Sequence, residues 1–120
     1  MPHIVVEYTA NTDKRVDFSA LFKSLHETLA DILGIDINLF QSRAIASDPY
    51  LVGDNLELAS VYVTLSLLEG RPGNLRMRVK NTIMSEIKNY LSSIQHNISY
   101  QVSIEIRDII KQDYIKEIVK

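Results

Sequence analysis

Two spacings of apolar residues alternate along the chain. Residues 1–8, Met-Pro-His-Ile-Val-Val-Glu-Tyr, read as a strand with a proline at its first position, where a missing N–H is tolerated. Residues 9–14 are polar and turn-like. Asp17 then stands as an N-cap ahead of Phe18, Leu21, Phe22, Leu25, Leu29, Ile32 and Leu33, whose steps of three and four define an amphipathic helix. Gly34 is placed to end it. A short apolar connection over 35–39 leads to an extended segment over 41–50, broken by Asp48-Pro49, and to a loop over 51–56 containing Gly53-Asp54. The second half repeats this order. Val61, Val63, Leu65 and Leu67 alternate with Tyr62, Thr64 and Ser66 in a strand. A tight connection over 69–74 follows, with Pro72 expected in the first turn of the next helix. That helix carries Leu75, Val79, Ile83, Ile87, Leu91 and Ile94 on one face. After a polar break over 95–99, Tyr100, Val102, Ile104 and Ile106 alternate in a last strand. Tyr114, Ile115, Ile118 and Val119 are the apolar anchors of a mixed C-terminal segment.

The pattern is strand-helix-strand twice, with halves at about residues 1–56 and 57–120 of a single expected domain. Each half should form a right-handed βαβ unit, and two units can share one four-stranded mixed sheet with both helices on one face. The fold class expected is α+β, of an α/β-like kind. Such a sheet leaves its other face and its edges open, which calls for a partner, and a homo-oligomer is expected.

Composition narrows the function classes. The 120 residues suit one domain, and the 46% hydrophobic content is ordinary for a globular protein. Thirteen basic and 15 acidic residues leave a net charge of −2, so no overall basic footprint points to nucleic acid. The absence of cysteine excludes disulfides and thiolate metal sites. His3, His26 and His96 have no ligand spacing, so no metal is expected, and His26 reads as structural. No apolar run approaches membrane-spanning length and no basic-then-apolar leader is present, so a soluble cytoplasmic protein is expected. No nucleophile triad, Walker loop or dinucleotide turn occurs, and Gly70-x-x-Gly73 is too short for a phosphate loop.

One chemical possibility stands at the start of the chain. If Met1 is removed, Pro2 carries a free secondary amine. Burial and neighbouring cations disfavour the charged amine, and from an ordinary value of roughly 8 a modest shift makes it a base near neutrality. On residue types alone, Pro2 reads as the cap of a strand, and Arg43 and Arg71 as surface arginines.

Pro2-His3-Ile4-x-Val6-Glu7-Tyr8, directly after Met1, resembles the start of the 5-carboxymethyl-2-hydroxymuconate isomerases, a branch of the tautomerase superfamily. Ser42-Arg43-Ala44 with Asp48-x-Tyr50, the strand around Val61-x-Val63-Thr64-Leu65, and Gly70-Arg71 match later parts of the same pattern. The resemblance implies the tautomerase/macrophage migration inhibitory factor fold, with two pseudo-symmetric βαβ units and a homotrimer around a central core. It implies an isomerase without a cofactor that ketonises a dienol di- or tricarboxylate from aromatic compound catabolism, in homoprotocatechuate degradation. Pro2 would be the general base, Arg43 and Arg71 would hold the carboxylates of a small anionic substrate, and Gln41 and Tyr50 would complete the site. A bidentate guanidinium suits a carboxylate, and Arg71 precedes a helix start that favours anions. Two departures stand out: Gln41 replaces an arginine that relatives often carry, and Tyr62 stands where the family has histidine. A tautomerase for another α-keto acid enol, or a trimeric binding protein that keeps the fold without catalysis, are the other readings. Glu7 is a candidate inward hydrogen-bonding group near the site, and Tyr62 could line the pocket or pack in the core.

Overall fold

The computed structural model describes residues 1–94 and 97–120. Strand β1 spans His3–Thr9, helix α1 Phe18–Leu33, β2 Gln41–Ser47, β3 Ala59–Leu68, α2 Gly73–Ser93 and β4 Tyr100–Ile109. Single 3-10 turns lie at Ile37–Leu39 and Lys111–Asp113. The sheet order is β2-β1-β3-β4. β1 and β2 are parallel, β3 and β4 are parallel, and the two halves meet where β1 and β3 run antiparallel. This is the expected α+β arrangement of two βαβ units in one mixed sheet.

Helix α1 begins as its sequence requires. The Asp17 carboxylate accepts from the Ala20 N–H at 3.2 Å, satisfying one of the unpaired donors of the first turn. Gly34 ends the helix at φ 65°, a left-handed conformation in which a side chain would be strained. Pro72 lies one position ahead of the first turn expected for it, as the N-cap of α2, and Ile94 is the C-cap rather than a helical residue. The expected extended segment over 41–50 is a strand only to Ser47. Part of the expected break over 95–99, including His96, lies outside the described residues.

Both helices pack on one sheet face. Leu21, Leu25, Leu29 and Leu33 of α1, and Val79, Ile83, Ile87 and Leu91 of α2, share a single core with Ile4, Val6, Val61, Val63, Leu65 and Leu67. The helices are pinned to each other by Glu86, which accepts from Thr28 Oγ1 at 2.5 Å and Ser24 Oγ at 3.3 Å. The strand period of two sends the alternate residues to the opposite face. There His3 sits between Gln41 and Ser66, Val5 between Arg43 and Thr64, and Glu7 between Ile45 and Tyr62. Glu7 is therefore exposed on the open face and does not point inward. Tyr62 is on that face too, donating to Glu105, with Arg107 holding the same carboxylate at 2.7 Å.

The C-terminal segment departs from expectation. Of its four apolar anchors only Tyr114 docks; Ile115, Ile118 and Val119 are 84%, 80% and 92% exposed in the single chain. Spacing could not foresee this, because seven residues beyond the last turn have no repeat from which to read a face.

Candidate active site

The antiparallel meeting of β1 and β3 decides which loops share an end of the sheet. β1 starts where β3 finishes, since His3 pairs with Ser66. β2 starts there as well, since it is parallel to β1 and His3 pairs with Gln41. The beginning of the chain, the beginning of β2 and the β3–α2 connection therefore converge. They bring Pro2, Gln41, Arg43 and Arg71 to one end of the molecule.

Pro2 is fully buried, and its carbonyl accepts from the Gln41 N–H at 3.1 Å. By strand alternation it shares the helix-covered face with Ile4 and Val6. The free amine in this structure belongs to Met1, one residue ahead, and the Pro2 nitrogen is an amide. That Met1 amine is held below its ordinary value by burial first, then by the charges of Arg71 and Lys116. His3 is likewise held below its ordinary value, by burial, then by the amine, Arg43 and Lys116. Both groups thus sense a common positive field at this end of the sheet, and the field favours a neutral amine.

Gly70 takes φ 98°, a positive-φ conformation that favours glycine, at the turn leading into Arg71. Arg71 Nη1 donates to the Leu33 carbonyl at 3.3 Å, satisfying an open acceptor at the end of α1. Arg71, Gly70, Glu69, Leu75 and Lys111 line a shallow depression of about 350 Å³. Arg43 and Gln41 are both exposed, two residues apart on the open side of β2. Tyr50 is not brought to this end. It follows the far end of β2, and the strand itself covers about 20 Å at ~3.3 Å per residue. A cavity of about 1020 Å³ is also remote from these groups; Asp13, Arg15, Lys88 and Tyr100 are among its lining.

Two contributors escaped sequence reasoning. His3 Nε2 lies 3.1 Å from the Tyr114 hydroxyl, with the rings edge to face at 5.9 Å. Lys116, two residues further on, adds its charge to the field. His3 belongs to the opening motif and Tyr114 was expected only as an apolar anchor, while Lys116 has no periodic or motif signal. His26, expected to be structural, bridges α1 to β2 through Ser42 Oγ at 2.5 Å and lies against Phe40. Among the described residues no group of three or more His, Asp or Glu is arranged to hold a metal ion, and no helix is long and apolar enough to cross a membrane.

The architecture is that of the tautomerase/macrophage migration inhibitory factor fold. A 5-carboxymethyl-2-hydroxymuconate isomerase from Deinococcus radiodurans R1 superposes with a TM-score of 0.84 at 18% identity, covering 97% of this chain and 88% of that one. A fused 4-OT symmetric trimer gives 0.69 at 18% identity, over 92% of this chain and 87% of that one. The Escherichia coli 5-carboxymethyl-2-hydroxymuconate Delta-isomerase is 26% identical over 110 residues, 91% of this chain and 87% of the relative. The model of the 5-carboxymethyl-2-hydroxymuconate isomerase family matches residues 2–118, and the chain belongs to that family. This membership supports an isomerase or tautomerase function.

Proposed function

We propose that the chain ketonises a dienol di- or tricarboxylate, with Pro2 as the general base once Met1 has been removed. The Pro2 amine takes the enol proton and returns a proton to carbon, so the hydrogen is relocated and no bond is hydrolysed. Arg43 and Arg71 bind the carboxylates, and Gln41 donates a hydrogen bond where an arginine would bring a charge. A base with a lowered pKa is neutral at the working pH, and donors near the developing oxyanion stabilise the transition state. The reaction asks for no cofactor. The observation that carries this reading is the convergence of a buried Pro2 and the charges of Arg43 and Arg71 at one end of the sheet.

In this proposal the working unit is a homotrimer. The open face carries Ile45 at 47% and Tyr62 at 37% exposure, and the C-terminal apolar residues are bare. Tyr50, remote from Pro2 in its own chain, can join a site only from a neighbouring copy. The fused 4-OT neighbour is itself a symmetric trimer. A place in aromatic compound catabolism, suggested by the family likeness, and a cytoplasmic location are part of this proposal.

The test is ultraviolet observation of dienol ketonisation, using protein whose intact mass shows that Met1 is absent. Decay of the dienol well above the buffer rate is expected, and Pro2→Ala should abolish most of it without changing the oligomer. No acceleration with a free Pro2 would refute the reading and favour a binding protein on the same fold.

A further inference from the structure

The C-terminal segment returns to the beginning of the chain. β4 ends at Ile109 beside Glu69, whose N–H donates to the Ile109 carbonyl at 2.9 Å. The Lys111–Asp113 turn follows, its Lys111 N–H bonded to the Glu69 carboxylate at 2.7 Å. From there Tyr114, in extended conformation, reaches His3 on the neighbouring part of the sheet. This contact joins residues 111 positions apart in sequence. It fixes a strap across the end of the molecule where Pro2, Gln41 and Arg71 already lie.

We propose that Lys116, carried by this strap, is a third carboxylate-binding residue of the Pro2 site and selects for substrates with three carboxylates over those with two. The inference rests on the reading of the Pro2 end as the substrate site. Two residues of extended chain span at most about 7 Å, so Lys116 stays within reach of the His3–Tyr114 anchor. Lys116 is exposed and, among the described residues, makes no salt bridge, so its ammonium is open to an anion. Its charge reaches both the Met1 amine, one residue ahead of Pro2, and His3, and helps to hold both below their ordinary pKa values. Lys116, Arg43 and Arg71 are thus three cations of one field, enough to match three carboxylates. Tyr114 and His3 act as positioning residues: they touch no reacting atom but hold the strap. The charges facing His3 are the amine, Arg43 and Lys116, and its hydrogen-bond partner is the Tyr114 hydroxyl.

Lys116→Gln, Lys116→Arg and Tyr114→Phe test the proposal, all in the full-length protein. Kinetics on a tricarboxylate and a dicarboxylate dienol are compared, together with calorimetric binding of tricarballylate and glutarate. Lys116→Gln is expected to lower kcat/KM up to about fivefold for the triacid, mainly through KM, and far less for the diacid. Lys116→Arg should restore most of it, and Tyr114→Phe should give an intermediate loss. The His3 imidazole, followed by NMR, should titrate at higher pH in Lys116→Gln than in the unaltered protein. Equal triacid and diacid effects, or an unmoved His3 titration, would overturn the proposal. If the unaltered protein ketonises no dienol but binds tricarballylate in a Lys116-dependent way, the inference stands and the catalytic reading falls. If tricarballylate does not bind at all, Lys116 is not a carboxylate residue and the inference is overturned.

Discussion

Arg71→Ala separates the structural and chemical roles of one guanidinium. In the folded chain Arg71 donates to the Leu33 carbonyl at 3.3 Å, and its charge helps to lower the pKa of the Met1 amine. Hydrogen bonds to charged groups contribute about 1.5–3 kcal/mol when well made. This one is long and only partly buried, so its loss should cost about 1 kcal/mol. Unfolding entropy is roughly 2 cal/mol/K per residue, so across 120 residues this is a fall in Tm of about 4 °C. The catalytic effect should be larger. Truncating one side of a hydrogen-bonded charge pair costs about 2–5 kcal/mol, and the low end applies to a site open to water. A loss of about 2–3 kcal/mol is roughly 30- to 150-fold in kcat/KM, expressed mainly in KM.

The pH profile provides the third readout. In the processed chain the same charge should disfavour a protonated Pro2 amine, so its removal should raise that amine's pKa. The base is then neutral only at higher pH, and the acid limb of kcat/KM must move upward. Arg71→Lys keeps the charge but loses the planar fork, so it should hold the acid limb in place while KM still rises. The assay is dienol ketonisation from pH 5 to 9 on protein of verified mass, with thermal unfolding alongside. Unchanged KM for a polycarboxylate together with an unmoved acid limb would remove Arg71 from the site. A fall in Tm alone would leave it as a cap of α1.

Other outcomes test separate parts of the account. His3 and His26 both titrate below their ordinary range when folded, each chiefly through burial. The unfolded chain therefore binds more protons below about pH 6.5, and stability should be full above that pH and fall progressively below it; urea unfolding at pH 7.5 and 5.5 measures this, and equal stability would refute it. Gln41→Arg restores a cation beside His3 and should raise kcat/KM for a tricarboxylate by up to about fivefold, the range of an exposed ion pair; no gain would place Gln41 away from the substrate. Ile83→Ala removes a fully buried side chain from the shared core and should cost about 2–5 kcal/mol in urea unfolding. Asp17→Ala deletes the α1 cap and should cost about 1 kcal/mol.

The legible parts of this molecule were those with a period. The α1 stripe from Leu21 to Leu33 and the β3 alternation from Val61 to Leu67 bury the residues their spacing selects. The cap at Asp17 and the stop at Gly34 follow local backbone chemistry and were equally readable. Glu7 was not, because a strand's period gives two faces without saying which one the helices cover. The resemblance carried Arg43, Arg71 and Pro2, but residue types alone left all three with plain structural readings. Tyr50 and Lys116 failed in opposite ways. Tyr50 sits in a motif, yet its strand leads it away from Pro2. Lys116 sits in no motif, yet a single long-range contact at His3 brings it near.

That contrast follows from topology. Two parallel βαβ units joined antiparallel must place the start of β1 beside the end of β3. Everything that leaves β3 or enters β2 is then delivered to the first residues of the chain, however far away it lies in sequence. Arg71 arrives through the β3–α2 connection and Gln41 through the start of β2. β4, parallel to β3, finishes at the same end, so the C-terminal strap arrives there too. The chain terminus therefore lies among cations from three separate segments: Arg43 of β2, Arg71 of the β3–α2 connection and Lys116 of the strap. The same geometry sends whatever follows β2 to the opposite end, which is why Tyr50 can serve a Pro2 site only from another copy. Tyr50→Phe should accordingly change kinetics only in the assembled oligomer. Mixed oligomers of Pro2→Ala and Tyr50→Phe chains measure whether the two residues act in the same chain or across two. If the kinetics of the mixture follow the simple average of the two pure variants, the two residues do not meet across copies, and Tyr50 leaves the site.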